Sequence, residues 1–255
     1  MAWDPAQYLK FAGPRLRPAL DLLQRIDVER PMTVYDLGAG AGNVTRLIAT
    51  RWPEALVVGV DSSAEMLTKA AAENPGIEWQ QADLGAWQPD RPADIIYSNA
   101  ALQWLGDHQH LFPRIVAQLA PKGVLAVQMP RNFSAPSHVL IFETALDGPW
   151  RPVLEPLLNR SPVAAPDFFY DLLSPLVANL DIWETEYLQV LDGLNPVKEY
   201  TKGSWLSPLL AALEEPLRSE FEAAYAARVL AAYPPSSDGK TLFPFRRLFL
   251  IATAG

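Results

Sequence analysis

The sequence predicts an α/β fold: a doubly wound, mostly parallel sheet with an antiparallel C-terminal strand and a small helical lid. Three observations carry this reading. Short β-rich runs alternate with helix-periodic stretches between residues 30 and 130, a glycine-rich turn follows the first run, and an apolar run rich in aromatics spans 242–253. Strand and helix alternating at this spacing imply parallel strands joined by right-handed crossovers.

Taken in order, residues 5–27 place Leu16, Leu20, Leu23 and Ile26 at helical spacing, and the reading is a helix broken near Pro14 and Pro18. Met32 to Asp36 is a β-rich run stopped by glycines, and Val44 to Trp52 resumes the helical period. Leu56 to Asp61 reads as a buried second strand, after which Ser63 is placed to cap a helix from Ala64 to Glu73. Strands at Ile77–Gln81, Ala93–Ser98 and Gly123–Gln128 follow, with a helix over 108–119 between the last two. Beyond Met129 the alternation loosens. Many of the 24 prolines fall in 130–175 and 196–245, where irregular insertions are expected. Residues 167–178 look helical, 182–191 extended, and 206–232 form two helices parted near Pro216; Tyr233 to Gly239 reads as a surface loop.

Composition sets the outer limits. A chain of 255 residues accommodates one well-buried α/β core, so a single domain over 1–255 is expected. The formal net charge of −8, without a Lys/Arg-rich block, disfavours nucleic acid as a partner. No apolar run reaches the length of a membrane span and the first residues lack a basic leader, which makes the cytoplasm the default compartment. No obligate protein partner is evident. The chain has no cysteine and only three histidines, so no metal site is expected.

The local chemistry concentrates at the strand ends. Asp36-Leu37-Gly38-Ala39-Gly40-Ala41-Gly42-Asn43 lies between the first strand and its helix, with glycine at alternate positions where backbone must turn or approach a ligand. Alone it also suits a purely structural turn. It departs from the dinucleotide fingerprint, since Asn43 stands where the third glycine belongs. Asp61, ending the second strand, is spaced to accept hydrogen bonds from both hydroxyls of a ribose, or else to cap the next helix. Asp83, ending the third, suits an adenine amino group with Leu84 and Met66 over the ring, or a solvated loop.

These residues resemble the class I S-adenosylmethionine-dependent methyltransferases, whose fold is Rossmann-like. The resemblance covers about residues 30–130 and implies a cofactor-binding core there. It implies that Gly38, Gly40 and Gly42 pass against the methionine part of S-adenosyl-L-methionine, that Asp61 holds the ribose and Asp83 the adenine, and that Ser98-Asn99-Ala100 lines the transfer site. Asp36, Asn43, Ser62, Met66 and Leu84 complete the expected cofactor set, and S-adenosyl-L-homocysteine is the expected product.

A closer resemblance extends over most of the chain. Trp3 through Leu9, Arg15 to Leu23, Ser98-Asn99-Ala100-Ala101-Leu102-Gln103-Trp104-Leu105, Leu125 to Pro130 with Asn132, Pro136-Ser137-His138-Val139-Leu140, Asp181-Ile182-Trp183 and Phe245-Arg246-Arg247-Leu248-Phe249 are similar to the trans-aconitate 2-methyltransferases. Residues 145–170 match least. The resemblance implies O-methylation of a carboxylate on a small polycarboxylic acid, trans-aconitate first among them.

Chemistry sharpens the expectation. A carboxylate is already ionised at neutral pH, so no general base is needed and the protein's task is positioning and exclusion of water. No catalytic residue is therefore named. An anionic acceptor needs cationic or amide donors, and the acceptor candidates are Tyr8, Arg15, Gln103, Trp104, His138 and Arg246; Arg15 and Arg246 lead because a guanidinium grips a carboxylate at two points, and Arg246 also stands amid aromatic residues. Arg131 and Lys202 read equally as surface charges. Trp3, Tyr8 and Phe11 suggest an N-terminal helical gate over 1–27, and residues 195–232, with Trp205, a helical lid insertion. Three other readings stay open: a carboxyl methyltransferase for another acid or an acyl-carrier substrate, a non-catalytic module that binds the cofactor, and a nicotinamide oxidoreductase.

Overall fold

The computed structural model describes residues 12–158 and 163–255. Contacts along the chain divide it into two compact units: one of 16–130, 163–185 and 247–255, the other, among the described residues, of 12–15, 131–158 and 186–246.

Seven strands form one sheet: β1 (Thr33–Leu37), β2 (Leu56–Asp61), β3 (Glu78–Gln81), β4 (Ala93–Asn99), β5 (Leu119–Pro130), β6 (Asn179–Leu191) and β7 (Thr241–Thr253). Their order across the sheet is β3-β2-β1-β4-β5-β7-β6. β1 pairs in parallel with β2 and β4, β2 with β3 and β4 with β5, whereas β7 runs antiparallel to β5, from Val124↔Thr253 to Pro130↔Arg247. β1 is buried along its whole length and β4 nearly so, as expected where both faces of a parallel sheet are covered.

The covering helices of the first unit follow from their apolar stripes. α1 (Ala12–Gln24) buries Ala19, Leu22 and Leu23; α2 (Asn43–Arg51) buries Ile48; α3 (Ala64–Glu73) buries Met66, Leu67 and Ala70. The Ser63 hydroxyl accepts the Met66 N–H at 3.3 Å, the expected cap. α4 (His108–Val116) buries Leu111, Phe112 and Ile115, and Phe112 meets Phe169 edge to face at 5.0 Å, which seats α7 (Pro166–Leu173) on it.

Sequence and structure part company at the prolines. α1 is not broken at Pro18 but continues through it. The helix is held from outside by tertiary bonds: the Tyr97 hydroxyl donates to the Ala19 carbonyl at 2.8 Å, and Arg51 donates to the Leu23 carbonyl in the last turn and to the Ile26 carbonyl just beyond it. The remainder of the expected helix, residues 5–11, lies outside the described residues. In the second unit the insertions are helical rather than irregular. Pro136, Pro152 and Pro196 stand in the first turns of α5 (Pro136–Leu146), α6 (Arg151–Leu154) and α8 (Pro196–Lys202), as Pro166 does in α7. There the missing N–H costs nothing and the fixed φ favours the helix. Two helices are also shorter than expected: α4 ends at Val116 because β5 begins at Leu119, and α7 ends at Leu173.

α9 (Leu206–Ala211) and α10 (Leu217–Ala232) complete the second unit, whose core gathers Ile141, Trp150, Tyr200, Leu206, Phe221 and Phe243. The buried Tyr225 hydroxyl donates to the Ser137 carbonyl at 2.9 Å, joining α10 to α5. None of the described helices is long and apolar enough to cross a membrane.

Candidate cofactor and acceptor site

In open α/β sheets ligands bind beyond the carboxyl ends of strands where the strand order reverses. Here that point lies between β1 and β4, whose neighbours run to opposite sides. The cofactor candidates lie at the carboxyl ends of β1, β2 and β4, in the turns that leave β1, β2, β3 and β4, and, for Asn43 and Met66, in the first turns of α2 and α3.

The turn after β1 is pinned to β2, since the N–H groups of Gly38 and Ala39 donate to the Val60 carbonyl at 2.8 and 3.0 Å. Gly38, Gly40 and Gly42 all have positive φ. Two of them make opposite statements. A Cβ on Gly38 would collide with Ala101, so glycine there lets two turns close on each other. A Cβ on Gly40 would meet nothing within 4 Å, so the loop opens onto free space at its centre. Gly42 precedes α2, and Asn43 begins it on an exposed side.

Asp61 joins this loop to the next turn. One carboxylate oxygen accepts the Gly40 N–H at 2.8 Å and the other the Ser63 N–H at 2.9 Å. Each oxygen keeps a second lone pair, which fits a ribose hydroxyl. The cap of α3 is Ser63, so Asp61 holds the turn before that helix rather than capping it, and the ribose reading is the alternative that stays open. Ser62 is exposed between Asp61 and Ser63, with its carbonyl accepting from Gln81 at 3.2 Å. Behind the loop Asp36 is buried and accepts the Thr45 hydroxyl at 2.6 Å. Burial raises its pKa to about 7; the Thr45 bond lowers it and the Asp61 charge raises it.

On the adenine side Asp83 is exposed and accepts the Gly85 N–H at 2.9 Å through one oxygen, leaving the other for a donor from solvent or ligand. Leu84 and Met66 are both buried apolar walls. The segment is braced by Arg114 of α4, which donates to the carbonyls of Leu84, Gly85 and Trp87 at 2.9, 2.7 and 2.6 Å. Sequence reasoning passed over Arg114, because a basic residue in a last helical turn carries no sign of what it reaches.

The turn after β4 is tightly built. Ser98 donates to the Leu37 carbonyl at 2.8 Å, and Ala100 N–H to the Gln128 carbonyl at 2.9 Å. Ala100 has φ 55, a left-handed conformation that costs a non-glycine residue on the order of 1 kcal/mol and concentrates at functional turns. Gln103 is buried and donates to the Ala100 carbonyl at 2.7 Å. Its Oε1, the Asn99 Oδ1 and the Gln128 Nε2 are buried without a partner among the described residues. These fit a cavity meant for a polar ligand rather than a finished core.

Tyr8 lies outside the described residues, as do Trp3 and Phe11, and of Arg15 only the backbone in α1 is described. Trp104 is exposed. His138 is buried, its Nδ1 3.0 Å from the Ser137 hydroxyl and its ring edge-on to Phe133 and Trp205. Burial lowers its pKa to about 4, so at neutral pH it offers an uncharged ring and no cation. Arg246 is not in a dry aromatic setting: strand alternation turns it outward, 46% exposed, 3.8 Å from Glu186, while Phe245 and Arg247 are buried. It borders a cleft of about 360 Å³ with Arg131, Asn132, Glu186 and Tyr233. Lys202 is paired with Glu222 at 2.7 Å. His108 bonds the Leu102 carbonyl and His110 bonds Asp107. Among the described residues no cluster of His, Asp and Glu has the makeup of a metal site.

Comparison with known proteins gives the family and the fold. The family described as "Methyltransferase domain" matches residues 34–123, from β1 into β5. A protein of Azoarcus sp. (strain BH72) named trans-aconitate 2-methyltransferase is 50% identical over 250 residues, 98% of each chain. A protein of the same name from Rhodopseudomonas palustris (strain BisB18) is 45% identical over 251 residues, again 98% of each. Among solved structures, the YcgJ protein of Bacillus subtilis superposes with a TM-score of 0.59 at 14% identity, covering 93% of this chain and 98% of that one. A Haemonchus contortus phosphoethanolamine N-methyltransferase in complex with S-adenosylhomocysteine gives 0.57 at 15%, covering 94% and 53%. These two share the fold.

Proposed function

The chain belongs to the trans-aconitate 2-methyltransferase family, and on that premise we propose that it transfers a methyl group from S-adenosyl-L-methionine to a carboxylate oxygen of trans-aconitate. The products are the monomethyl ester and S-adenosyl-L-homocysteine. The observation that carries the reading is 50% identity over 98% of both chains with a relative of that name. The opening at Gly40 beside Asp61 supports it.

Bound S-adenosylmethionine supplies a methyl group already activated on a sulfonium, and this chain's residues do the rest. Asp61 takes the ribose hydroxyls on its free lone pairs, Asp83 the adenine amino group, and Leu84 with Met66 flanks the ring. Gly38, Gly40, Gly42 and Asp36, with Asn43 and Ser62 at the rims, receive the methionine end. Ser98, Asn99 and Ala100 line the side on which the acceptor arrives. Gln103 and Trp104 supply N–H donors to the acceptor, with Tyr8, Arg15, His138 and Arg246 as further contacts. No group need remove a proton, because the attacking oxygen is anionic at neutral pH. The gate over 1–27 and the lid over 195–232 exclude water during transfer.

The test is to incubate the protein with methyl-labelled S-adenosylmethionine and a panel of mono-, di- and tricarboxylates. Label and one added methylene in the mass of trans-aconitate, at higher kcat/KM than on other acids, is expected. Transfer to none of the acids overturns the reading.

A further inference from the structure

The geometry points to Gln128 and Arg247 as a buried pair that grips a carboxylate of the acceptor other than the one being methylated. This rests on the function proposed above and names the part of the site that selects polycarboxylates.

Register places the pair. Gln128 of β5 is opposite Asn99 of β4 and Phe249 of β7. Arg247, two residues before Phe249, points to the same sheet face because strand side chains alternate. Asn99, Gln128 and Arg247 thus share one face at the carboxyl ends of β4 and β5, beside the Ser98–Gln103 turn. Gln128 is 0% exposed and Arg247 5%.

The amide's orientation follows from its neighbour. Arg247 Nη1 donates to Gln128 Oε1 at 3.3 Å. Arginine has only donors, so the glutamine must turn its oxygen to it, and Nε2 faces away. That Nε2 has no partner among the described residues, a rare and costly state for a buried donor. A guanidinium and a primary amide N–H side by side form a donor set for a carboxylate. The nearest rival, a polar brace between β5 and β7, explains the bond between the two side chains but leaves Nε2 unused.

Gln128→Glu separates these accounts. It gives Arg247 an internal carboxylate, so a bracing role is kept or strengthened, while the acceptor's carboxylate is repelled. Trans-aconitate is titrated calorimetrically into protein saturated with S-adenosylhomocysteine, and KM is measured for trans-aconitate and for a monocarboxylate. For Gln128→Glu the expected result is trans-aconitate affinity weaker by about tenfold or more, a smaller change for the monocarboxylate, and unchanged S-adenosylhomocysteine affinity. Arg247→Lys, which keeps the charge and loses the planar fork, should fall between parent and Gln128→Glu. Parent-like trans-aconitate binding by folded Gln128→Glu overturns the assignment, as does equal loss for the monocarboxylate or no binding of trans-aconitate by the parent. If Gln128→Glu does not fold, Arg247→Lys decides: an unchanged trans-aconitate affinity overturns the pair. A parent that binds trans-aconitate but methylates no acid sinks the functional reading instead, and the pair is then judged on the titrations alone.

Discussion

Burial acts on two single residues in opposite directions. Asp36, held near a pKa of about 7, is protonated in the folded chain at pH values where an unfolded aspartate is ionised. Its raised pKa favours the fold at low pH, and that contribution is lost as pH climbs from about 4 through about 7, with a slope of about 1.4 kcal/mol per pH unit. His138 works the other way: its stabilisation is present above the ordinary histidine pKa and is lost as pH falls towards about 4. Asp36→Asn keeps an acceptor for Thr45 and removes the titration. Its stability relative to the parent should rise between about pH 4 and 7 and then level off, read from urea unfolding across that range; parallel curves for the two proteins would exclude the effect. Asp61→Asn puts an amide nitrogen against one of the N–H groups that Asp61 now accepts, and S-adenosylhomocysteine affinity should fall by about 1.5–3 kcal/mol, measured by titration. Asp61 was legible in the sequence because a strand-end acid after a glycine turn has few uses. Arg247 was not. Its neighbour Arg246 has the same chemistry, and only the phase of the strand tells which of the two is buried.

At the scale of elements the first five strands could be read from their β-branched runs, whereas α5 could not. Its sequence, PSHVLIFETAL, is apolar nearly all round and has no side-chain cap before it, so neither a polar stripe nor a start signal marks it. The same prolines that argue against a helix interior were starting helices. The Arg114 brace was invisible for a related reason: three carbonyls it binds belong to a segment about thirty residues away. Arg114→Ala should free the turn after β3, lowering stability by about 1–3 kcal/mol. It should weaken S-adenosylhomocysteine more than it changes trans-aconitate binding at saturating S-adenosylhomocysteine. Melting temperature and the two titrations report these effects, and an unaltered cofactor affinity would show that the turn is held without it.

For the molecule as a whole, the alternation of strands and helices was enough to give the parallel sheet, but not that β6 would lie outside β7. Sequence order says nothing about which strand is an edge. The arrangement has a consequence in time. Chains emerge from the ribosome from the N-terminus and begin folding before synthesis ends. β1 to β5 find their parallel neighbours as they appear, but β6 has a single neighbour in the sheet, and that neighbour, β7, is made about fifty residues later. Until then β6 is a strand without a ladder, with unmet backbone groups of the kind that invite pairing with another nascent chain. Ribosome-bound chains halted with α10 exposed and β7 still in the tunnel should be cut readily by protease within 179–191, and release of β7 should abolish the cleavage. Equal resistance before and after release would mean that β6 finds a temporary shelter during its wait.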